Sequence, residues 1–177
     1  MHAPSEHTVN GDHYDLELHF VHTYADDPTH LGAVIGVFFD TEVGDGEYDN
    51  PLLHEMFDFT GVMKVNSNIP LKNGVGVLDF LSNIDFTKYW TYEGSLTTPP
   101  CTEGIRWNVI KEVQPISKKQ LELVTALWAG NSTFAGGMGT NRETQKLGDR
   151  HLYYTEGSAV FLGLAASIMM SAALALF

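Results

Sequence analysis

Apolar and polar residues alternate through YDLELHFVHTY (14–24), and an unbroken apolar run, GAVIGVFFD, follows at 32–40. GVGVLDF (74–80) and IRWNVIKEV (105–113) are also rich in β-branched and aromatic residues, and turn formers such as NG and GDG separate these segments. Period-two or continuous apolar patterning bounded by turn residues predicts strands. One segment has helical spacing. SKKQLELVTALWAG places Leu121, Val124 and Leu127 on one face, starts at Ser117 as N-cap and stops at Gly130. NPLLHEMFDF (50–59) predicts a further helical turn. The fold expected is mainly β (α+β): a large, mostly antiparallel central sheet with few peripheral helices, incomplete at the N-terminus, followed by a C-terminal apolar helix.

That last element comes from Ser158 to Phe177, which carry no charge. At about 1.5 Å per residue such a helix just spans a hydrocarbon core. Two readings stand: a transmembrane anchor, or a cleaved signal for a lipid anchor attached near Gly157, Ser158 and Ala159. No repeat or low-complexity linker divides the remainder, so the expected organisation is one domain, 1–156, and a hydrophobic tail, 157–177, with the membrane as a partner.

The 177 residues and 44% hydrophobic content suffice for a real core. A net charge of −12, with only 10 basic residues, excludes phosphate-backbone binding, and nucleic acid with it. A single cysteine, Cys101, makes no internal disulfide, and neither CxxC nor HExxH occurs. Asn131, in NST, fits a glycosylation acceptor if the chain is secreted.

Chemistry gathers in three places. In a strand over 14–24, Glu17, His19 and Val21 share one face while Leu18, Phe20 and His22 share the other. His2 and the Glu6–His7 pair lie on a second segment. A third, GSLTTPPC (94–101), is stiffened by Pro99 and Pro100, which hold Thr98 extended and present hydroxyls in one place.

SEHTVNG, ELHFVH, YWTYEGSLTTPPCTEGIRW and, more weakly, NRETQKLGDR occur in this order, and together they resemble the α-class carbonic anhydrases. The resemblance runs from His2 to about Arg150 and covers roughly the last two thirds of a family domain. It implies a hydro-lyase: zinc-dependent, reversible hydration of CO2 to bicarbonate and a proton, with metal-bound hydroxide as nucleophile. Zinc brings the pKa of its bound water to about 7, for which carbonic anhydrase is itself the standard example.

By resemblance, His2 and His19 are zinc ligands. Thr97 accepts a hydrogen bond from the hydroxide and donates its own proton to Glu6. Glu17 orients His19, while His7 and Tyr92 are buried supports. Val21, Val34, Leu96, Thr98, Ile105 and Trp107 form the wall where CO2 rests. The family's His-x-His pair would put a first ligand immediately before Met1, with Met1 as x, which points to a truncated chain that binds zinc poorly alone. An inactive fragment or a non-catalytic binding module is the alternative.

Three positions depart from the family pattern: Glu143 and Glu93 stand at frequent prolines, and Thr140 at a frequent Asn. The last is tolerable, since that position serves the second ligand through its backbone carbonyl. Cys101 matches half of a disulfide whose partner lies upstream, which implies an oxidising, extracellular-facing location for a membrane-anchored protein.

Overall fold

The structure is a computed structural model that describes residues 1–23, 32–57, 73–126 and 139–157. The chain opens with a hairpin of two short strands, β1 (Thr8–Val9) and β2 (Asp12–His13), joined through Asn10 and Gly11, whose φ values are +56° and +97°. Asn-Gly suits a turn in which both central residues are left-handed. The hairpin folds the first residues back on β3 (Leu16–Thr23), where His2 and Glu17 exchange backbone hydrogen bonds of 2.9 and 2.8 Å.

β4 (Gly32–Asp40) pairs antiparallel with β3. Then come α1 (Pro51–Phe57), α2 (Val77–Ser82), β5 (Lys88–Ser95), β6 (Glu103–Ile110), β7 (Gln114–Pro115), α3 (Lys118–Thr125) and β8 (Tyr153–Glu156). The main sheet runs β3-β4-β6-β5-β8, with β7 also on β4. Its β3–β4, β6–β5 and β5–β8 pairings are antiparallel; β6 and β7 run parallel to β4. The fold is therefore mainly β, a large mixed sheet with few helices.

β4 is apolar throughout because both of its faces are covered. Ile35, Val37 and Phe39 join Leu16, Leu18 and Phe20 of β3 in a core with Leu52, Leu53 and Met56 of α1. The alternate residues Val34 and Phe38 join Ile105, Trp107 and Val109 on the opposite face. That second face carries Glu17, His19 and Val21, which lie across from Phe38, Gly36 and Val34.

The helix expected from Ser117 forms. Gln120 donates its backbone N–H to Ser117 Oγ at 3.1 Å and accepts from the Ser117 N–H at 3.4 Å, a reciprocal cap. The Gln120 side chain then accepts from Asn50 N–H at 2.8 Å and donates to Asn50 C=O at 2.9 Å, tying α3 to the start of α1. The helical turn expected at 50–59 is α1, begun by proline where no backbone donor is needed.

Residues 74–80 are not a strand. Val77, Phe80 and Leu81 stand at i, i+3 and i+4, so a helix turns all three onto the core; Phe80 stacks on Phe39 at 5.8 Å, and Leu78 faces outward at 54% exposure. β5 and β8 have no counterpart in the pattern-based reading. Among the described residues no helix is long and apolar enough to cross a membrane. The tail helix, Asn131, Leu127 and Gly130 lie outside the described residues.

Candidate functional site

Register and parity assemble the site. Glu17 and His19 stand on one face of β3, and the His2–Glu17 bridge lays the N-terminal segment alongside them. The Glu17 carboxylate, 0% exposed, accepts four hydrogen bonds. Oε2 takes the backbone N–H groups of Glu6 and His7, both at 2.9 Å; Oε1 takes His7 Nδ1–H at 2.6 Å and His19 Nε2–H at 2.9 Å. Burial pushes its pKa up, but His7 and His19 outweigh burial and hold it well below the usual carboxylate range. An ionised carboxylate can only accept, which fixes the protons of both imidazoles.

His7 Nε2 therefore accepts, and its donor is the Tyr92 hydroxyl at 2.7 Å. Burial raises the Tyr92 pKa, keeping that proton in place. Trp107 donates its indole N–H to the Ser95 carbonyl at 2.9 Å and sets its ring edge-on against His19 and His7, at 4.8 and 4.9 Å. His7 and Tyr92 thus brace the carboxylate that braces His19.

His2 is fixed from the other side. Its Nδ1–H donates to the Thr140 carbonyl at 3.0 Å, while Thr140 N–H donates to Ala3 C=O at 3.0 Å and Ala3 N–H to Thr140 Oγ1 at 3.2 Å. The contact to His2 uses only the backbone carbonyl of residue 140. Burial lowers the His2 pKa, which leaves its Nε2 a lone pair; His19, whose Nε2–H is given to Glu17, turns its Nδ1 to the same space.

Glu6 completes the cluster. Its Oε1 accepts the Arg142 backbone N–H at 2.8 Å; its Oε2 is buried without a hydrogen-bond donor, 3.4 Å from His2 Nε2 and 3.9 Å from His19 Nδ1. The ligand atoms of His2, Glu6 and His19 all lie within 4.8 Å of one another. Three acceptors so placed, out of water, repel one another unless a proton or a cation sits among them. Two imidazoles are zinc donors, and a buried carboxylate beside them favours a cation, so the residues fit the metal that the sequence resemblance implies.

A cavity of about 290 Å³ opens on these groups. Val21, Val34, Leu96, Thr98 and Trp107 line it beside His2, His19 and Thr97. Ile105, expected in this wall, is instead packed into the cluster of Val34, Phe38, Trp107 and Val109, 3% exposed. Thr97 also lines a second cavity of about 480 Å³, shared with Glu6, His7, Tyr92, Arg142 and Arg150. Among the described residues no hydrogen bond joins Thr97 to Glu6, because Glu6 Oε2 has no donor.

Sequence reasoning passed over two contributors. Arg142 acts through its backbone, which no side-chain motif reveals. Gly36, across from His19, has no side chain to attract notice, and only the strand register exposes it.

The family model described as eukaryotic-type carbonic anhydrase matches residues 1–156. Alpha carbonic anhydrase 4 of Arabidopsis thaliana is 42% identical over 121 residues, covering 68% of this chain and 40% of its own. Alpha carbonic anhydrase 3 of the same plant is 36% identical over 163 residues, covering 89% and 52%. A solved structure of a hyperthermostable carbonic anhydrase from an active hydrothermal vent chimney superposes with a TM-score of 0.69 at 36% identity, covering 88% of this chain and 61% of that one. The chain thus spans about half the length of the curated relatives it matches.

Proposed function

The chain belongs to the eukaryotic-type carbonic anhydrase family, and from that premise we propose that its site serves zinc-dependent, reversible hydration of CO2 to bicarbonate and a proton. The observation that carries this reading is the convergence of His2 Nε2, His19 Nδ1 and a buried Glu6 Oε2 that has no hydrogen-bond donor. His2 and His19 would hold the metal. When bound, zinc supplies Lewis acidity and a nucleophile drawn from water near neutral pH.

The chain's own residues do the rest. Thr140 and Glu17 keep both imidazoles in the tautomer that offers a lone pair. Val21, Val34, Leu96 and Trp107 give a small apolar gas a surface from which no polar group need shed water. Glu6 Oε2 has free acceptor capacity, and the Thr97 hydroxyl is its proposed donor in the working site; that bond would orient the remaining Thr97 lone pair toward the nucleophile. The uncharged run Ser158–Phe177 and the lone Cys101 support a membrane-held, extracellular-facing location.

The test is a zinc count by mass spectrometry beside CO2 hydration followed with a pH indicator in stopped flow. Both are made on this chain and on a form extended by one His before Met1, the position that shares a face with His2. The extended form should load near one zinc and hydrate CO2, and His19→Ala in it should lose both. Full loading without hydration would reduce the site to a metal-binding module; no zinc in either form would remove the proposal.

A further inference from the structure

Gly36 occupies the middle of β4, a strand flanked by β3 on one side and β6 on the other, where glycine weakens the strand. Its φ lies outside the left-handed range, so the backbone does not call for it. What its surroundings call for is room. A Cβ built at residue 36 would fall 2.7 Å from Glu17 Oε1, with Glu17 Cδ and His19 Cδ2 at 3.8 Å.

Neither side can give way easily. Glu17 Oε1 is held by His7 and His19, and Oε2 by two backbone N–H groups. The strand cannot retreat, since Gly36 pairs with His19 across one edge and with Val109 across the other. The oxygen that the missing Cβ admits is also the one that keeps the His19 proton on Nε2.

We propose that Gly36 is a positioning residue for the metal centre: its missing side chain admits the Glu17 carboxylate, which in turn holds His19 with Nδ1 free to bind. A methyl group there displaces Oε1, frees His19 Nε2–H from its acceptor and lets the proton move to Nδ1, where it blocks coordination. The affinity arm of the inference rests on the zinc reading above; the tautomer arm does not.

The experiment uses the form extended by one His before Met1 and compares it with Gly36→Ala, Glu17→Ala and the double variant made in it. His19 ring-nitrogen NMR on metal-free protein at about pH 8 reads the tautomer, and titration with zinc against a competing chelator reads affinity. Losing a residue that orients a ligand typically weakens zinc about 10- to 100-fold. Gly36→Ala should show that loss together with a gain of Nδ1-protonated His19. In the Glu17→Ala background, with no carboxylate to displace, adding Gly36→Ala should change neither.

An unchanged tautomer and affinity in Gly36→Ala would overturn the proposal. So would an equal further loss in both backgrounds, which is what general strand damage gives. If Gly36→Ala alone fails to fold, folding of the double variant supports the displacement and its failure overturns it. A tautomer shift in protein that never binds zinc would sink the metal-centre reading and leave the role of Gly36 standing.

Discussion

Replacing Glu17 by Gln removes one charge and turns one acceptor oxygen into a donor, at a buried point where all four partners donate. The amide oxygen is best spent on the Glu6 and His7 backbone N–H pair, which cannot change sign. The amide nitrogen then faces His7 Nδ1 and His19 Nε2. His7 can adapt: it can move its proton to Nε2 and donate to the Tyr92 hydroxyl, which also accepts. His19 Nε2–H keeps no acceptor unless it, too, changes tautomer, which places a proton on the Nδ1 that faces Glu6.

One charge-assisted hydrogen bond is thus lost, about 1.5–3 kcal/mol, and the two backbone bonds fall to neutral strength, so the variant should be less stable by about 3 kcal/mol. Urea unfolding of metal-free protein measures this, and pH supplies an internal check. The Glu17 pKa is depressed in the folded state, so its contribution is full above the unfolded value of about 4.3 and is lost as pH falls toward the folded value. The gap between wild type and Glu17→Gln should hold steady down to about pH 5 and then narrow in acid. A gap under about 0.5 kcal/mol at neutral pH, or one that widens in acid, would refute the reasoning.

The opposite sign is expected at Glu6. Glu6→Gln keeps an oxygen for the Arg142 N–H and gives the other position a donor facing His2 Nε2, so metal-free protein should gain about 1 kcal/mol in urea unfolding while zinc affinity falls. Gly139 has φ +142°, and a Cβ there would lie 2.6 Å from Pro4 Cδ and 2.7 Å from Ala3 C=O. Gly139→Ala should push Thr140 off His2, costing about 2 kcal/mol or more in thermal unfolding and releasing the His2 Nδ1 proton to exchange, seen by ring-nitrogen NMR.

Much of this architecture was legible because strands with one buried face write their parity into the sequence. Glu17 and His19 on one side of β3, and the unbroken apolar run of β4, both read directly. Ser117 announced α3 as its N-cap, and the spacing of Leu121 and Val124 gave its face. Residues 74–80 misled because Val75 and Val77 recur at period two, whereas only the core beneath shows that Val77, Phe80 and Leu81 must turn together.

β5 hid because its residues are mostly half-buried, so no alternation marks it. In the site, the resemblance named His2, His19, Glu6 and Thr97, and the structure brings the first three together. It could not show that Glu6 Oε2 turns toward the imidazoles, since that depends on Arg142 approaching from the far end of the domain. Ile105 shares the parity of Trp107 on β6, but parity reports a face and not whether other side chains cover it.

The residues that close the site, Thr140 and Arg142, follow the groups they hold by 138 and 136 positions. A chain emerging from the ribosome therefore exposes the His2 ring and the Glu6 carboxylate long before the backbone groups of residues 140 and 142 exist to hold them, and the loop to be closed is among the longest this domain allows. Completion of the site, and with it the metal loading that the proposed function requires, must then be a late event in biogenesis.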